Sequence, residues 1–265
     1  MSGLKYSKLN YLLSHWPNNV VICSEGLSEQ HYYKQLLKKY CDSGWLRKVG
    51  HGAFAKLGDS IEWPGAIYAI QQELKLPLHV GGLSALELLG LSQNIVIDPE
   101  QATLYLFNTT STKKKLPQWF NQTCKNHAYI QHHLFNKQIA VEPKLVEGIT
   151  VTVSQPERAI LEILDLVPNA FNYTHANDLV ENLHLLRPDL VQSLLEECLS
   201  FKVKRIFLYL AEKYQLPCFS YLDASKLDLG KGKRVIGQGG NYIPKYQLSV
   251  PRLEHEEENT GIGHV

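Results

Sequence analysis

The chain has 265 residues, of which 44% are hydrophobic and 20% charged, and its formal net charge is +1. This composition excludes an intrinsically disordered protein, and no apolar run reaches the ~18 residues of a membrane span. The N-terminal residues MSGLKYSKLN lack the apolar core of a signal peptide, so we expect a cytoplasmic protein with no membrane partner. The charge is uneven: residues 1–58 hold eight basic and three acidic residues (+5), and the remainder holds 19 and 23 (−4).

Residues 6–44 show three helical patterns separated by short turns. The first runs from Tyr6 to His15, with leucines at spacings of three and four residues. A short strand is predicted at Val20–Ile22, and Ser24 is predicted to cap a second helix over Glu25–His31. The third pattern, KQLLKKYCDSG, ends at Gly44, a favourable C-terminal stop. Two helices joined by a tight turn and preceded by a third are typical of a helix-turn-helix.

The third helix is predicted to present a basic face. Its spacing turns four apolar or aromatic side chains inward, those of Leu36, Leu37, Tyr40 and Cys41. The residues of this helix and the preceding turn that we predict to contact DNA are Tyr33, Lys34, Gln35, Lys38 and Lys39. Lysine is a flexible charge suited to phosphate, whereas glutamine and tyrosine can hydrogen-bond to base edges. The alternative for the lysines is an ordinary solvated helix face.

A hairpin pattern follows directly, in CDSGWLRKVGHGAFAKLG. One strand is predicted from Trp45 to Val49 and the other over Ala53–Lys56, with a Gly-His-Gly turn between them. A hairpin after a helix-turn-helix is typical of a winged helix, whose second helix enters a major groove while the wing lies along the backbone. The wing residues predicted to contact DNA are Arg47, Lys48 and His51. We expect Trp45 and Leu46 to pack the wing onto the helices, and an exposed turn residue is the alternative for His51.

The remaining chain mixes helices and strands. Helices are predicted in IEWPGAIYAIQQEL and HVGGLSALELLGL, strands at 102–108, 128–135 and 148–153, and further helices after 154, at 175–186, 189–200 and 203–214. Ser154 and Glu157 have the spacing of a capping box, and a closing hairpin contains the turn GKGKR. The pattern predicts an α+β fold, with a winged helix-turn-helix domain at 1–60 and a larger mixed α/β domain at 61–251. The acidic tail 252–265 is expected to be disordered.

Catalytic groups are hard to assemble from this sequence. Asp98 with Glu142-Pro143-Lys144 loosely imitates a metal-dependent nuclease, but proline is unusual in the paired strand that such a site needs. Five widely spaced cysteines without a C-x-x-C pair indicate neither a disulfide framework nor a zinc site. We therefore predict no catalytic residues, no metal and no cofactor, with the nuclease as a remote alternative.

Several segments together resemble one family. The run VGGLSALELLGL is preceded by SGWLRKVGHGAFAKLGDSIEWPGAIYAIQ and followed by VSQPERAILEILD, LRPDLVQSLLEEC, KVKRIFLYLAE and LDLGKGKR…KYQLSVP. In this order, from about residue 10 to 251, they resemble the AbiEi antitoxins of type IV (abortive infection, AbiE) toxin–antitoxin systems. The resemblance implies a winged helix that represses its own operon by binding repeats in the promoter, and a C-terminal antitoxin domain. It also implies a nucleotidyltransferase toxin encoded next door, which is countered without a stable complex.

Carried over residue by residue, the resemblance marks the winged-helix positions named above, although such wing tips often carry a stronger base than His51. In the larger domain it marks Gly81, Gly82 and Glu157 without disclosing a mechanism. The basic residues expected to form an antitoxin surface are Arg158, Lys204, Arg205, Lys233 and Arg234. Plain surface solvation is the alternative for each of them. A solitary winged-helix regulator or a protein-binding module without an antitoxin role is the alternative for the whole chain.

Overall fold

The structure is a computed structural model that describes residues 8–92, 102–112, 114–238 and 240–253. Helices and strands follow one another in no regular alternation along the chain, and the described strands form three antiparallel or mixed sheets, so the predicted α+β class is confirmed. Over these described ranges, every helix is too short or too polar to cross a membrane.

The first part of the chain forms three helices and a three-stranded sheet. Its elements are α1 (Lys8–His15), β1 (Ile22–Cys23), α2 (Ser24–Glu29), α3 (Lys34–Asp42), β2 (Leu46–Gly50) and β3 (Ala53–Lys56). The sheet order is β1-β3-β2 with antiparallel pairing throughout. A helix-turn-helix followed by a hairpin is therefore present. The strand predicted at 20–22 begins at Ile22 instead, because the Val21 amide donates to the Gly65 carbonyl at 3.2 Å and the pairing with β3 begins at Ile22.

Helix α2 begins one residue earlier than predicted. Cys23 occupies the N-cap, and no side chain accepts a capping hydrogen bond there. The prediction that Ser24 caps this helix is therefore wrong. Ser24 is the first helical residue, and its amide donates to the Gly52 carbonyl at 2.7 Å, which fastens α2 to the turn of the hairpin.

A five-stranded mixed sheet forms the middle of the molecule. Its elements and the helices between them are α4 (Trp63–Tyr68) with a π-helical extension (Ala69–Glu73), β4 (Leu78–Val80), α5 (Gly82–Leu88), β5 (Leu104–Asn108), α6 (Gln118–Thr123), β6 (His127–Ile130), β7 (Val141–Val146) and β8 (Ile149–Ser154). The strand order is β6-β5-β4-β8-β7. The sequence did not predict β4, α6 or β7. Pro143 lies within β7 because this strand is at the edge of the sheet, where a missing amide is tolerated.

Four further helices complete the core. They are α7 (Pro156–Leu166), α8 (Tyr173–Glu181), α9 (Pro188–Glu197) and α10 (Phe201–Lys213). Almost every residue of α7 is buried, and this helix contacts α5, α8, α9 and α10. The predicted capping box at its start is wrong. Gln155 is the N-cap, Ser154 donates to the Glu162 carboxylate at 2.8 Å, and Glu157 accepts from the Arg187 side chain at 2.9 Å.

The chain ends in a small three-stranded sheet where a single hairpin was predicted. It consists of β9 (Arg234–Val235), β10 (Gly240–Ile243) and β11 (Leu248–Pro251), in the order β10-β11-β9. Strand β11 pairs antiparallel with β10 and parallel with β9. Leu253 is 7% exposed, so the second residue of the predicted disordered tail packs on the core; residues 254–265 of that tail lie outside the described residues.

One cluster of buried apolar residues runs from Leu12 to Leu253. It includes Leu27 of α2 and Leu37 of α3 as well as Phe120 of α6 and Ile160 of α7. The winged helix therefore rests on the rest of the chain rather than standing apart from it. The domain boundary at residue 60 stays a prediction.

Candidate nucleic-acid interface

Helix α3 separates apolar and polar side chains onto opposite faces. Leu37 and Tyr40 are 1% and 8% exposed and point into the core. The exposed side chains of the helix include those of Lys34, Gln35, Lys38 and Lys39. Because 3.6 residues complete a turn, burying positions 37 and 40 turns the pairs 34/35 and 38/39 outward. The structure therefore places all four of these predicted contacts on one face.

The start of α3 is suited to an anion. Tyr33 is its N-cap, with an extended backbone, no side-chain capping bond and a ring that is 61% exposed. The Tyr33 hydroxyl lies 3.3 Å from Nδ1 of His31. The first turn carries Lys34 and no acidic residue. The lysine charge and the positive end of the helix dipole repel each other. A negatively charged group such as phosphate is attracted to both, so its binding is favoured at this end of the helix.

Strands β2 and β3 form the predicted wing. A register shift between Lys48 and Gly50 leaves Val49 as an extra residue, and Gly52 has φ 69°, which closes the tight turn. Lys48 and His51 are both exposed. The bulge and turn therefore present these two side chains at the tip of the hairpin.

Arg47 is not brought together with Lys48. It is half-buried, and its Nη2 donates to the Asp59 carbonyl at 2.9 Å. The side chain of Asp59 in turn accepts from the Asn19 amide at 2.8 Å. Arg47 thus links the wing to the segment that leaves it, whereas Lys48 remains available for a phosphate.

A cleft of ≈ 350 Å³ lies between α2, α3 and the wing. Its polar lining comes from three elements: Ser24 and Ser28 of α2, Lys34 of α3, and Lys48 and His51 of the wing. Two ammonium groups beside hydroxyls are groups that bind phosphate oxygens. The sequence did not identify Ser24 and Ser28 as site residues, and the available signal was their i, i+4 spacing on the helix preceding the basic one.

The contacts between the wing and the rest of the molecule differ in part from those predicted. Leu46 is 1% exposed as predicted, but Trp45 is 50% exposed, so the prediction that it packs the wing is wrong. Neighbouring residues of a strand face opposite sides, and burying Leu46 turns its neighbour outward. The backbone of Gly50 lies instead on Trp119 of α6, a residue that is 4% exposed. No pattern in the sequence marked Trp119 as a wing contact.

Three of the five predicted antitoxin-surface residues are buried. Arg158, Lys204 and Arg205 are 2%, 4% and 2% exposed, so their prediction as surface residues is wrong. Arg205 donates four hydrogen bonds to the carbonyls of Leu229, Gly230, Gly232 and Gln247, at 2.6–3.2 Å. Lys233 is exposed and Arg234 half-exposed. The GKGKR loop therefore turns carbonyl groups toward a buried cation rather than forming a simple hairpin turn.

Arg158 belongs to a buried polar network around Glu162. Its Nε donates to Glu162 Oε1 at 2.8 Å, and Nε2 of His79 lies 2.7 Å from the same oxygen. Glu162 Oε2 accepts from the Ser154 hydroxyl at 2.8 Å and the Gly82 amide at 3.0 Å. Burial alone would raise the pKa of Glu162, but His79 and Arg158 lower it to about 2. The network stabilises an ionised carboxylate inside the core, and so it has a structural role.

The two nuclease candidates that the structure describes do not form a metal site. Glu142 and Lys144 lie on β7, and Glu142 accepts from Gln155 at 2.6 Å, while Asp98 lies outside the described residues. Within the described ranges no three His, Cys, Asp or Glu side chains are close enough to hold a metal ion.

Comparison with known proteins gives two family matches and a similar solved structure. Residues 5–97 match the family model "Transcriptional regulator, AbiEi antitoxin N-terminal domain", and residues 101–251 match "Transcriptional regulator, AbiEi antitoxin, Type IV TA system". The crystal structure of RV2827C protein from Mycobacterium tuberculosis is similar with a TM-score of 0.56. The aligned region covers 91% of this chain and 89% of the Mycobacterium tuberculosis chain at 16% sequence identity, so the similarity shows a shared fold. No curated protein matches the chain.

Proposed function

The chain belongs to the AbiEi family of antitoxins and transcriptional regulators of type IV toxin–antitoxin systems, and from this we propose that its winged helix binds double-stranded DNA in the promoter of its own operon. The observation that carries the proposal is the polar face of α3 beside the cleft that Lys34, Lys48 and His51 line. A bound repressor at this position would exclude RNA polymerase from the promoter.

The proposed arrangement gives each side chain a distinct contact. Helix α3 enters the major groove, where Gln35 hydrogen-bonds to a base edge and Lys38 and Lys39 contact phosphates on the groove walls. The cleft seats one backbone phosphate between Lys34 and Lys48. Arg47 positions the wing through its bond to the Asp59 carbonyl.

The test compares a promoter duplex with a scrambled duplex of the same composition by fluorescence anisotropy. Wild-type protein should bind the promoter duplex more tightly, and Gln35→Ala should reduce that preference about tenfold while changing scrambled-duplex binding little. Gln138→Ala, which removes another exposed glutamine, is the matched control. Equal affinity of wild type for both duplexes would contradict promoter recognition.

We further propose that residues 61–251 counter a nucleotidyltransferase toxin encoded next to this gene, without a stable complex and without catalysis by this chain. Family membership supports this part of the proposal. Co-expression should restore growth of cells that express the neighbouring toxin, and Lys38→Ala/Lys39→Ala should still restore it if transcriptional repression and protection are separate. Co-elution of the two proteins in gel filtration would favour a protein-binding module instead.

A further inference from the structure

The C-terminal sheet has one buried and one exposed face. Leu248 and Val250 of β11 are 0% and 3% exposed and point into the core. Ser249 between them pairs with Tyr242 of β10 on one side and with Val235 of β9 on the other. Since paired residues share a face, these three form a row across the outer surface. Tyr242 is 47% and Val235 62% exposed, so an aromatic ring and an apolar side chain are open to solvent on the outer face of the sheet.

The segment that builds this sheet is strongly basic. Residues 229–253 contain five basic residues and no acidic residue. One of the five, Lys245, is paired with Glu212. The other four are the exposed Lys231, Lys233 and Arg252 and the half-exposed Arg234. The Lys233 ammonium lies 4.9 Å from the centre of the Tyr242 ring, so charge and aromatic surface are adjacent.

The buried Arg205 guanidinium holds this basic loop in place. Its bonds to the carbonyls of Leu229, Gly230 and Gly232 fix the loop from the inside, and its bond to Gln247 joins the loop to the residue that precedes β11. Lys231 and Lys233 project outward on either side of Gly232. The surface is thereby preorganised, which reduces the entropy lost when a flexible ligand binds.

We propose that this outer face binds single-stranded nucleic acid. An unpaired base stacks on the Tyr242 and Val235 row, and the backbone phosphates contact Lys231, Lys233 and Arg234. A duplex keeps its bases stacked on each other, so it could use the charges but not the ring. An acidic peptide would likewise leave the exposed Tyr242–Val235 row without a stacking partner. The site shares no residue with the α3 interface and stands independently of promoter binding.

The experiment measures binding of fluorescein-labelled oligouridylate and oligothymidylate, each of about 12 nucleotides, to the full chain by anisotropy at about 50 mM salt. Every variant also carries Lys34→Ala, Lys38→Ala and Lys39→Ala, which remove the α3 contacts. Tyr242→Ala should weaken binding about tenfold, whereas Tyr242→Phe should stay within about twofold because the stacking ring remains. Lys233→Ala should lower the salt slope by about 0.7, the contribution of one phosphate contact to a single strand. A preference for either oligonucleotide identifies RNA or DNA as the ligand.

The matched control is Tyr221→Ala/Lys226→Ala, which removes a tyrosine that is 75% exposed and a lysine whose side chain is 64% exposed. Its affinity should equal that of the background variant. The proposal is overturned if neither oligonucleotide binds, if the control loses as much affinity as Tyr242→Ala, or if polyglutamate binds equally well and Tyr242→Ala has no effect. Thermal melts by circular dichroism show that each variant is folded, since every substituted side chain is exposed or half-exposed.

Discussion

Gly50, the last residue of the wing strand β2, lies against Trp119 of α6, so closely that a Cβ at position 50 would stand 2.4 Å from the Trp119 Cβ. Only glycine fits this approach without movement of one partner. The contact couples the wing, which we propose lies along DNA, to the five-stranded part of the molecule. The contact therefore requires a glycine at position 50 for steric reasons, although glycine carries no charge and no hydrogen-bonding side chain.

Gly50→Ala is expected to displace the wing. Overpacking of this kind typically costs about 1–3 kcal/mol, and relief by wing movement should weaken promoter binding about tenfold although every cation is kept. The measurements are the free energy of unfolding in urea and the dissociation constant for the promoter duplex. Gly58→Ala is the control, because a Cβ there meets nothing within 4 Å. Promoter affinity of Gly50→Ala equal to that of the control would mean that the wing position does not matter for binding.

Lys34 and Lys48 are expected to act on the same phosphate. Both line the cleft between α2, α3 and the wing, although they come from different elements. Each single alanine variant should weaken promoter binding about three- to tenfold, and the double variant should lose less than the product of the two effects. Lys39→Ala and Lys48→Ala form the comparison pair, and their effects on the free energy of promoter binding should be additive. Strict additivity for Lys34 and Lys48 would show that the cleft holds no shared phosphate.

Glu162→Gln is expected to destabilise the core strongly. It leaves the Arg158 guanidinium buried without its carboxylate, a change that typically costs about 3–5 kcal/mol. The pKa of Glu162 is about 2 in the folded protein and 4.5 as the ordinary value. A lowered carboxyl pKa stabilises the fold above the ordinary pKa, and that stability is lost as the pH falls from 4.5 to 2. The wild-type free energy of unfolding should therefore fall more steeply across this range than that of Glu162→Gln.

Glu212→Gln is the control for that measurement. Its carboxylate is 41% exposed and pairs with an exposed lysine, so its removal should cost at most about 1 kcal/mol. Equal destabilisation by the two variants at neutral pH would contradict the assignment of the Glu162 network to core stability.

Arg205→Lys is expected to release the C-terminal loop although it keeps the charge. A lysine ammonium cannot reproduce the planar set of bonds to four carbonyls, and we expect a loss of about 2–4 kcal/mol. Hydrogen exchange should increase in residues 229–253 before it increases elsewhere. Arg187→Lys, at a side chain that is 56% exposed, should leave exchange in that segment unchanged. Unchanged protection in Arg205→Lys would show that the loop holds its shape without the guanidinium.

The features that were predicted correctly are those that depend on a few neighbouring residues. The polar face of α3 follows from its helical spacing, and the wing turn follows from the glycines at 50 and 52. Helices α5 and α7–α10 were predicted for the same reason, with shifts of a few residues at their ends. These features depend on period and turn chemistry, which the sequence displays directly.

The missed features depend on partners far along the chain. Arg205 looked like a surface cation because its acceptors are backbone carbonyls 24–42 residues away. Arg158 is paired within its own helix, yet its Nη1 also donates to the Ile139 carbonyl and its guanidinium lies 4.6 Å from the centre of the Phe135 ring, contacts that no local pattern shows. Glu157 had a sufficient local partner in the capping box, but Arg187, 30 residues later, binds it instead. Trp119 could not be linked to Gly50 without the position of α6.

We propose that α3 binds DNA through Lys38 and Lys39, and the salt dependence of promoter binding measures the contribution of these two lysines. Each phosphate contact contributes about 0.9 to the slope of log affinity against log salt concentration, so Lys38→Ala/Lys39→Ala should flatten the slope by about two and weaken binding. Lys137→Ala/Lys226→Ala removes two lysines that are 69% and 64% exposed elsewhere, and its slope should match wild type. A slope and affinity for Lys38→Ala/Lys39→Ala equal to those of this control would contradict the assignment of α3 as the recognition helix.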